Sequence, residues 1–416
     1  MNFLKLESKK EPFFLAWTIH RPIPPSKVLI PLKQFSGAEA LPCVDEGQKV
    51  LTGQVIALPK QSSDVSLHAS VSGKISRIFN GSHPVLGKSK VIEIISDGLD
   101  EKVPSFGKER AGWEKLTREE ILKIFSESGL IDMTLTGESL HRKLDQKSST
   151  LILNACESQP YLASNYCLMM SHPPEILKGA EILRKVLGVQ SFTLVTEEDK
   201  REAAELFKSK VYFLKWDHAD IVMLPQGYPD DEKILAKRLQ RNSAVTLDVA
   251  AAYAVYEAVV LQKPLIERVI TVGGECVVEP KNLSVRLGAD LQTVFKYCKG
   301  LMREPRKVIM GGPMAGVAQV KLDAPVTAGT SGLLALPKEV AKLEDVSPCI
   351  RCGKCIEVCP VDISPAMISL AAENDLFKTA QDYGVGLCIE CGNCSYVCPS
   401  KRPMTELMKY AASAVN

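Results

Sequence analysis

The sequence predicts a multi-domain protein in which an α/β unit is combined with α+β parts. Three observations predict it. Before residue 100, short β-branched runs are broken by turn glycines; between about 112 and 260, helical and strand patterns alternate; after residue 340, one cysteine pattern occurs twice. With 416 residues the chain can bury several cores, and 45% hydrophobic with 24% charged residues is ordinary for a soluble protein. Those values exclude wholesale disorder, collagen-like repeats and a polytopic membrane protein. Lys+Arg 51 against Asp+Glu 49 leaves a formal charge of +2, so nothing global draws the chain to nucleic acid or to an anionic bilayer. No nucleic-acid partner is expected, and any anionic partner must be met by a local patch.

Pro12, Pro22, Pro24 and Pro25, with Pro31 just beyond, mark residues 1–27 as an extended arm. Residues 1–11 are lysine-rich with no apolar core behind them, which predicts no signal peptide. No apolar run approaches the roughly 18 to 20 residues of a spanning helix. Residues 28–100 read as an all-β barrel or sandwich, with strands at 28–30, 50–56, 71–78 and 91–95. Within it, residues 46–54 and 68–75 resemble the two half-motifs of lipoyl- and biotinyl-type barrel-sandwich domains, which carry their cofactor on a lysine between the half-motifs. Here Ser62-Ser63-Asp64-Val65 contains no lysine, so the barrel-sandwich fold is expected without the swinging arm. His68 has no partner at metal-ligand spacing and reads as structural.

Residues 112–260 form the α/β unit, with helices at 119–127, 174–187, 199–208 and 249–260 and strands at 151–153, 191–195 and 221–224. Alternation of this kind indicates a Rossmann-like parallel sheet whose ligands sit at strand C-termini, and the loop after Leu153 is the expected mouth. Residues 264–325 read as a small β-grasp-like unit, with strands at 268–278, 283–287 and 308–310 around a helix at 289–297. A glycine loop after a strand can cradle phosphate. Gly311-Gly312-Pro313-Met314-Ala315-Gly316 lacks the GxGxxG and P-loop spacings, and turn chemistry accounts for its glycines.

Eight of the thirteen cysteines lie between Cys349 and Cys398, which is ligand clustering in a reducing compartment and not a disulfide framework. Cys349, Cys352, Cys355 and Cys359 before Pro360 read CxxCxxCxxxCP, and Cys388, Cys391, Cys394 and Cys398 before Pro399 repeat it. This is the two-cluster ferredoxin run, so residues 340–416 are expected to hold two [4Fe-4S] clusters. Three cysteines wrap one cubane and the fourth reaches across to the other. Cluster one then takes Cys349, Cys352, Cys355 and Cys398, and cluster two takes Cys388, Cys391, Cys394 and Cys359. Zinc would use four thiolates and leave the remaining spacing of each repeat unexplained. Arg351, Lys354 and the N–H groups of Gly353 and Gly392 are placed to offset thiolate charge. Cys43, Cys156, Cys167, Cys276 and Cys298 have no ligand spacing and read as small buried residues.

The order of these parts, together with Ile19-His20, residues 68–73, Asn154-Ala155, Pro160-Tyr161 and residues 264–269, 310–314 and 329–332, resembles the C subunits of Rnf electron-transport complexes. Those complexes are membrane-associated, ion-translocating ferredoxin:NAD oxidoreductases, and the resemblance runs over the whole chain. It implies integral and peripheral subunits of such a complex as partners, and a soluble electron carrier or oxidoreductase as redox partner. It also implies a peripheral place on the cytoplasmic face of the cell membrane, reached through contacts with the integral subunits.

The resemblance further implies that the α/β unit is similar to the NADH- and FMN-binding subunit of respiratory complex I. In that family a loop of the type GLGGAGFPTHVKL precedes a NAxECEPY segment. The same register here keeps Gly137, His141, Lys143 and Leu144, while Asp132, Thr134, Leu135 and Glu138 occupy the loop. The second segment keeps Glu157 and Tyr161, but Ser158 and Gln159 replace its cysteine and second glutamate, and Asn165 and Cys167 stand for the usual Asp and Arg. Glycines let backbone N–H groups approach phosphate, and carboxylates in their place oppose it. FMN is therefore expected to be absent, with Glu157, Tyr161 and Lys143 as the remnant of a nucleotide site and no catalytic residue besides. Two rival readings stay open: an intact flavoenzyme that itself oxidises or reduces NAD(H) within the same complex, and a scaffold whose clusters are structural. A further alternative places the phosphates at Pro225-Gln226-Gly227-Tyr228-Pro229.

Overall fold

Four sheets organise the chain in the computed structural model, which describes residues 4–6, 17–34, 37–134, 137–145, 148–241, 243–342 and 344–415. In the first unit, Lys27–Pro31, Gly87–Ser96, Gly73–His83 and Lys49–Val50 form an antiparallel sheet in that spatial order. Leu41–Pro42, Val55–Leu58 and Leu67–His68 form a second one. Ile30, Ile75 and Ile92 from one sheet and Ile56 and Leu67 from the other fill a single core. The run 50–56 is not one strand, because Gly53 turns the chain at a left-handed φ of 85°. Asp64, on the hairpin where a lipoyl-type domain keeps its lysine, is 1% exposed and accepts from Arg142 Nη2 at 2.5 Å. Ser126 Oγ also donates to the Ser62 carbonyl, so this hairpin is fastened to the α/β unit. His68 is buried beside the Glu127 carbonyl, and loss of water lowers its pKa to about 4, the state of a neutral structural histidine.

The α/β sheet is parallel throughout, in the order Ala219–Leu224, Phe192–Glu197, Thr150–Asn154, Ala244–Asp248. Arg118–Glu127 opens with a capping box between Thr117 and Glu120. Arg201–Leu214 runs past the predicted end at 208, because Val211 continues the buried stripe of Ala203, Ala204 and Phe207. The strand Ala244–Asp248 and the seven-residue helix Glu232–Arg238 are additions to the sequence reading, too short to show a period. Helices Pro173–Leu187 and Val249–Val259 pack so tightly at Gly179 that a Cβ there would lie 1.8 Å from the Ala252 carbonyl oxygen.

The third unit is a six-stranded sheet that gathers distant segments. Its order is Ile19–His20, Lys281–Arg286, Glu267–Gly273, Gly332–Leu336, Lys307–Met310, Val317–Gln319. Two features correct the sequence reading. Ile19–His20 pairs in parallel with Lys281–Arg286, so part of the proline-rich arm is a strand; residues 7–16, with Pro12, lie outside the described residues. The sheet also extends beyond residue 325, since the fully buried Gly332–Leu336 inserts at its centre. Leu151 and Phe192 of the α/β unit share one hydrophobic core with Ile270 and Leu283 of this sheet.

In the cysteine-rich region, the short helices Lys354–Glu357 and Asn393–Tyr396 follow left-handed Gly353 and Gly392. Pro365–Glu373, Phe377–Asp382 and Met404–Val415 close a separate small core around Ile368 and Met408. Of the other five cysteines, Cys156, Cys167, Cys276 and Cys298 are buried as read, but Cys43 is exposed, lying next to the short outer strand Leu41–Pro42. Gly179→Ala should destabilise the α/β unit by on the order of 1–3 kcal/mol, because the helices must separate to admit a methyl group. A lowered urea midpoint with unchanged slope would register it.

Candidate functional site

Both halves of the cysteine block fold in the same way. Arg351 and Glu390 precede Cys352 and Cys391 with φ of 54° each, and Gly353 and Gly392 follow at 78° and 82°. Cys388, Cys391 and Cys394 of the second repeat line one cavity with Cys359 of the first. Pro360, Ile363 and Met408 supply apolar wall, and the empty space amounts to about 360 Å³, part of it open to solvent. Among the described residues no three His, Cys, Asp or Glu side chains are close enough to share a single ion. The four thiols face one shared space, as the ligands of a cubane must. Burial first, and then the neighbouring thiols, push Cys391 up to about 11 and Cys394 up to about 12. Left alone, these groups keep their protons at neutral pH; metal binding would release them. In the other half, Cys355 has the Cys349 and Cys398 thiols as neighbours, and burial also raises its pKa.

The two halves differ in surroundings. Cys352 is exposed, and Ile350 and Ile356 beside it are 66% and 48% exposed. The second repeat instead faces protein. Tyr228, from the loop after strand Ala219–Leu224, is buried and donates its Oη to the Cys391 carbonyl at 2.6 Å. Gly392 sits so close to the Met314 carbonyl that a Cβ would approach it to 2.5 Å. Lys237 Nζ lies 3.9 Å from Asp362.

At the C-terminal edge of the parallel sheet, the sequence-predicted nucleotide residues are held by protein groups. Asp132 Oδ1 accepts from Thr134 N at 3.2 Å, Thr134 Oγ1 at 2.9 Å and Glu138 N at 3.1 Å. Lys143 Nζ donates to Asp132 Oδ2 at 3.1 Å and to Glu232 Oε2 at 2.9 Å. Burial opposes the Lys143 ammonium, yet these two carboxylates outweigh it and hold its pKa above the usual value. Leu135 and Thr136 lie outside the described residues. Glu157 accepts from Asn165 N, Tyr166 N and Ser164 Oγ, capping the helix Ser164–Ser171. Tyr161 donates to Glu275 Oε1 at 2.8 Å, a partner in the third unit. Gln159 Oε1 accepts from Met314 N and Ala315 N, so side-chain oxygen fills the glycine loop that follows Lys307–Met310.

Residues 6–99 match the RnfC barrel sandwich hybrid domain, residues 125–261 the Nuo51 FMN-binding domain, and residues 341–404 the 4Fe-4S dicluster domain. Over 418 residues the chain is 37% identical to the C subunit of the proton-translocating ferredoxin:NAD(+) oxidoreductase complex of Clostridium ljungdahlii, covering 95% of this chain and 91% of that one. It is 32% identical to the C subunit of the Na(+)-translocating ferredoxin:NAD(+) oxidoreductase complex of Acetobacterium woodii, over 85% and 83% of the two chains. The C subunit of the ion-translocating oxidoreductase complex of Rhodobacter capsulatus is also 32% identical, over 82% and 69%. The chain belongs to the RnfC family.

In this α/β unit the Asp132 carboxylate is paired with Lys143 and accepts from Thr134 N and Glu138 N, so backbone N–H groups of the kind that bind phosphate are occupied by a side chain of the loop itself. The sequence reading also missed an acidic lining. Glu197, Asp230 and Asp248 end or follow the strands; Glu197 is buried and the other two are half-buried, and loss of water raises all three pKa values. Nothing in local sequence marks them, since only the parallel pairing brings strand ends at 197 and 248 to one edge. Glu197 Oε2 accepts from Glu157 N at 3.1 Å, while its Oε1 has no hydrogen-bond partner.

Glu197 supplies a pH test. Burial, reinforced by Asp230, raises its pKa to about 7. Its protonated form is the one folding favours, so its stabilising contribution is complete below the unfolded value near 4.5 and lost as pH rises through about 7. Glu197→Gln should match the native chain at about pH 4 and exceed it by on the order of 2–3 kcal/mol at about pH 8. Urea midpoints of the two proteins across that range would show the divergence, and parallel curves would refute it.

Proposed function

We propose that this chain is the iron–sulfur electron-transfer subunit of an Rnf-type ion-translocating complex, relaying electrons between a soluble redox partner and the membrane-embedded subunits. The observation that carries this reading is the cavity lined by Cys388, Cys391, Cys394 and Cys359, in which the fourth thiol comes from the opposite repeat. Cys349, Cys352, Cys355 and Cys398 make the second ligand set by the same logic. Each cluster, when bound, takes up and returns one electron; the protein's part is to hold, insulate and orient it. Tyr228 ties the inner set to the α/β unit. The outer set, with exposed Cys352, Ile350, Arg351 and Lys354, forms the face at which a redox partner docks. Other Rnf subunits are its partners, and the chain sits peripherally on the cytoplasmic face of the membrane; no described helix is long and apolar enough to cross one.

FMN is not retained in this reading, because Asp132 and Lys143 satisfy each other inside the loop. The match of residues 125–261 to an FMN-binding domain favours a second reading, in which the protein keeps a flavin and exchanges electrons with NAD(H) itself. It requires the Asp132 carboxylate to leave its three donors.

Two experiments test these readings. Anaerobically prepared protein should contain about eight iron and eight sulfide per chain, and Cys391→Ala should lose or convert one cluster while sparing the other. Stoichiometric zinc without sulfide would end the ferredoxin reading. The same preparation should carry no FMN and show no NADH:ferricyanide reductase activity. Asp132→Gly, which frees the loop N–H donors, should raise affinity for added FMN by at least about tenfold, the effect of one charge-assisted hydrogen bond. Stoichiometric FMN in the unaltered protein would put the flavoenzyme reading first.

A further inference from the structure

The helix Arg201–Leu214 ends in three consecutive large apolar side chains that no described part of the chain covers. Tyr212 is 80% exposed, Phe213 77% and Leu214 49%. Scattered exposed hydrophobic residues are ordinary on soluble proteins, but three in succession at one tip make a patch. The Tyr212 and Phe213 rings stand edge to face with centroids 6.2 Å apart, so they form one knob. The knob has a firm base. Lys215 ends the helix in the left-handed region at φ 54°, and Trp216 behind it packs against Phe192 and His218, with ring centroids at 6.4 Å and 4.9 Å.

The charge nearest the knob is mainly positive. Lys208, Lys210 and Lys215 flank it, and residues 206–216 contain no acidic side chain. Lys208 pairs with Glu205 one turn back at 3.0 Å, and Asp217 follows the knob, so the lysines are partly balanced at the base and unbalanced at the tip. A chain of net charge +2 has no global attraction to an anionic surface; this tip has a local one. Aromatic rings at headgroup depth, ringed by lysines whose stems lie along apolar surface, are the side-chain chemistry of a bilayer interface. The two rings at the tip are more than three-quarters exposed. Protein interfaces are more often broad patches with a polar rim that includes hydrogen-bond donors and acceptors, whereas three projecting side chains reach into depth.

We propose that the knob of Tyr212, Phe213 and Leu214, with Lys208, Lys210 and Lys215, is a membrane contact that enters the headgroup region of an anionic lipid surface. A single contact of this size binds weakly and reversibly. It acts by adding to the protein contacts that hold the chain in its complex, since a second tethered contact strengthens the whole without being strong itself. The proposal does not depend on the clusters or on the nucleotide loop.

The test uses the full chain and sedimentation with phosphatidylcholine vesicles, with and without phosphatidylglycerol. Binding should appear with phosphatidylglycerol and weaken as salt is raised. Tyr212→Ser with Phe213→Ser should lower partition by at least about tenfold, and Lys208→Gln with Lys210→Gln and Lys215→Gln should remove the dependence on anionic lipid. Tyr212, Phe213 and Lys215 are exposed and Lys208 and Lys210 partly so, and thermal unfolding and cluster absorbance should stay unchanged, which separates lost lipid binding from lost folding. Brominated lipid should quench Trp216 in the unaltered chain and not in the Tyr212→Ser, Phe213→Ser variant. Failure to bind phosphatidylglycerol vesicles, or binding indifferent to the knob substitutions, overturns the proposal. Knob variants that bind vesicles normally but no longer co-purify with the other subunits in detergent would assign the knob to a protein neighbour instead. A chain that lacked iron yet bound lipid through the knob would sink the relay reading and leave this one standing.

Discussion

The seating of the cysteine-rich region against the α/β unit turns on one contact, the hydrogen bond from Tyr228 Oη to the Cys391 carbonyl. Tyr228 is where three remote segments meet. Its backbone exchanges both hydrogen bonds with Leu4, its ring is buried, and its hydroxyl reaches a cysteine of the inner ligand set. A buried phenol must place its O–H on an acceptor, because leaving the group unpaired costs about 1–3 kcal/mol. That requirement seats the cysteine module against the α/β unit in one orientation. The Met314 carbonyl then closes on Gly392 from the third unit, at a distance only a residue without a side chain tolerates. Which ligand set lies inside and which faces solvent follows from this seating.

The same economy of polar groups explains the altered nucleotide loop. A loop whose N–H groups point inward needs an anion or water to satisfy them. Here the anion is covalent: Asp132 takes two backbone donors and a hydroxyl, and Lys143 balances its charge. Glu157 caps a helix and Gln159 fills the loop at Met314 and Ala315 in the same manner. All three side chains are turned toward this chain's own backbone, and Gln159 ties the α/β unit to the loop that carries Met314.

The barrel-sandwich unit follows the pattern too. Its hairpin at Asp64 lies where lipoyl-type domains need mobility, but a buried carboxylate bound to Arg142 cannot swing. Breaking such a pair strands a charge away from water, at a cost of about 3–5 kcal/mol. The unit is thereby a rigid shoulder of the α/β domain. Exposed apolar side chains lie instead at the cysteine face around Ile350 and at the end of helix Arg201–Leu214.

The two cysteine runs, the parallel α/β alternation and the barrel half-motifs were legible in the sequence, because each is a local pattern: ligand spacing, hydrophobic period and turn glycines act within a few residues. The repeat spacing supplies the grouping of Cys359 with Cys388, Cys391 and Cys394 only as an expectation; that the four line one cavity is a property of the fold. Gly332–Leu336 and Ile19–His20 were not assigned to the third sheet, since a short buried run carries no period and strand partners are chosen by distant residues. The role of Asp132 was half visible: its replacement of a loop residue can be read, but the rotation of its carboxylate onto Thr134, Glu138 and Lys143 cannot. Tyr228 on Cys391, the acidic edge of Glu197, Asp230 and Asp248, and the uncovered tip of Tyr212, Phe213 and Leu214 were decided by tertiary structure alone. Burial and contact are properties of the packed chain, and residues far apart in sequence acquire them only when sheets and helices bring their ends to one place.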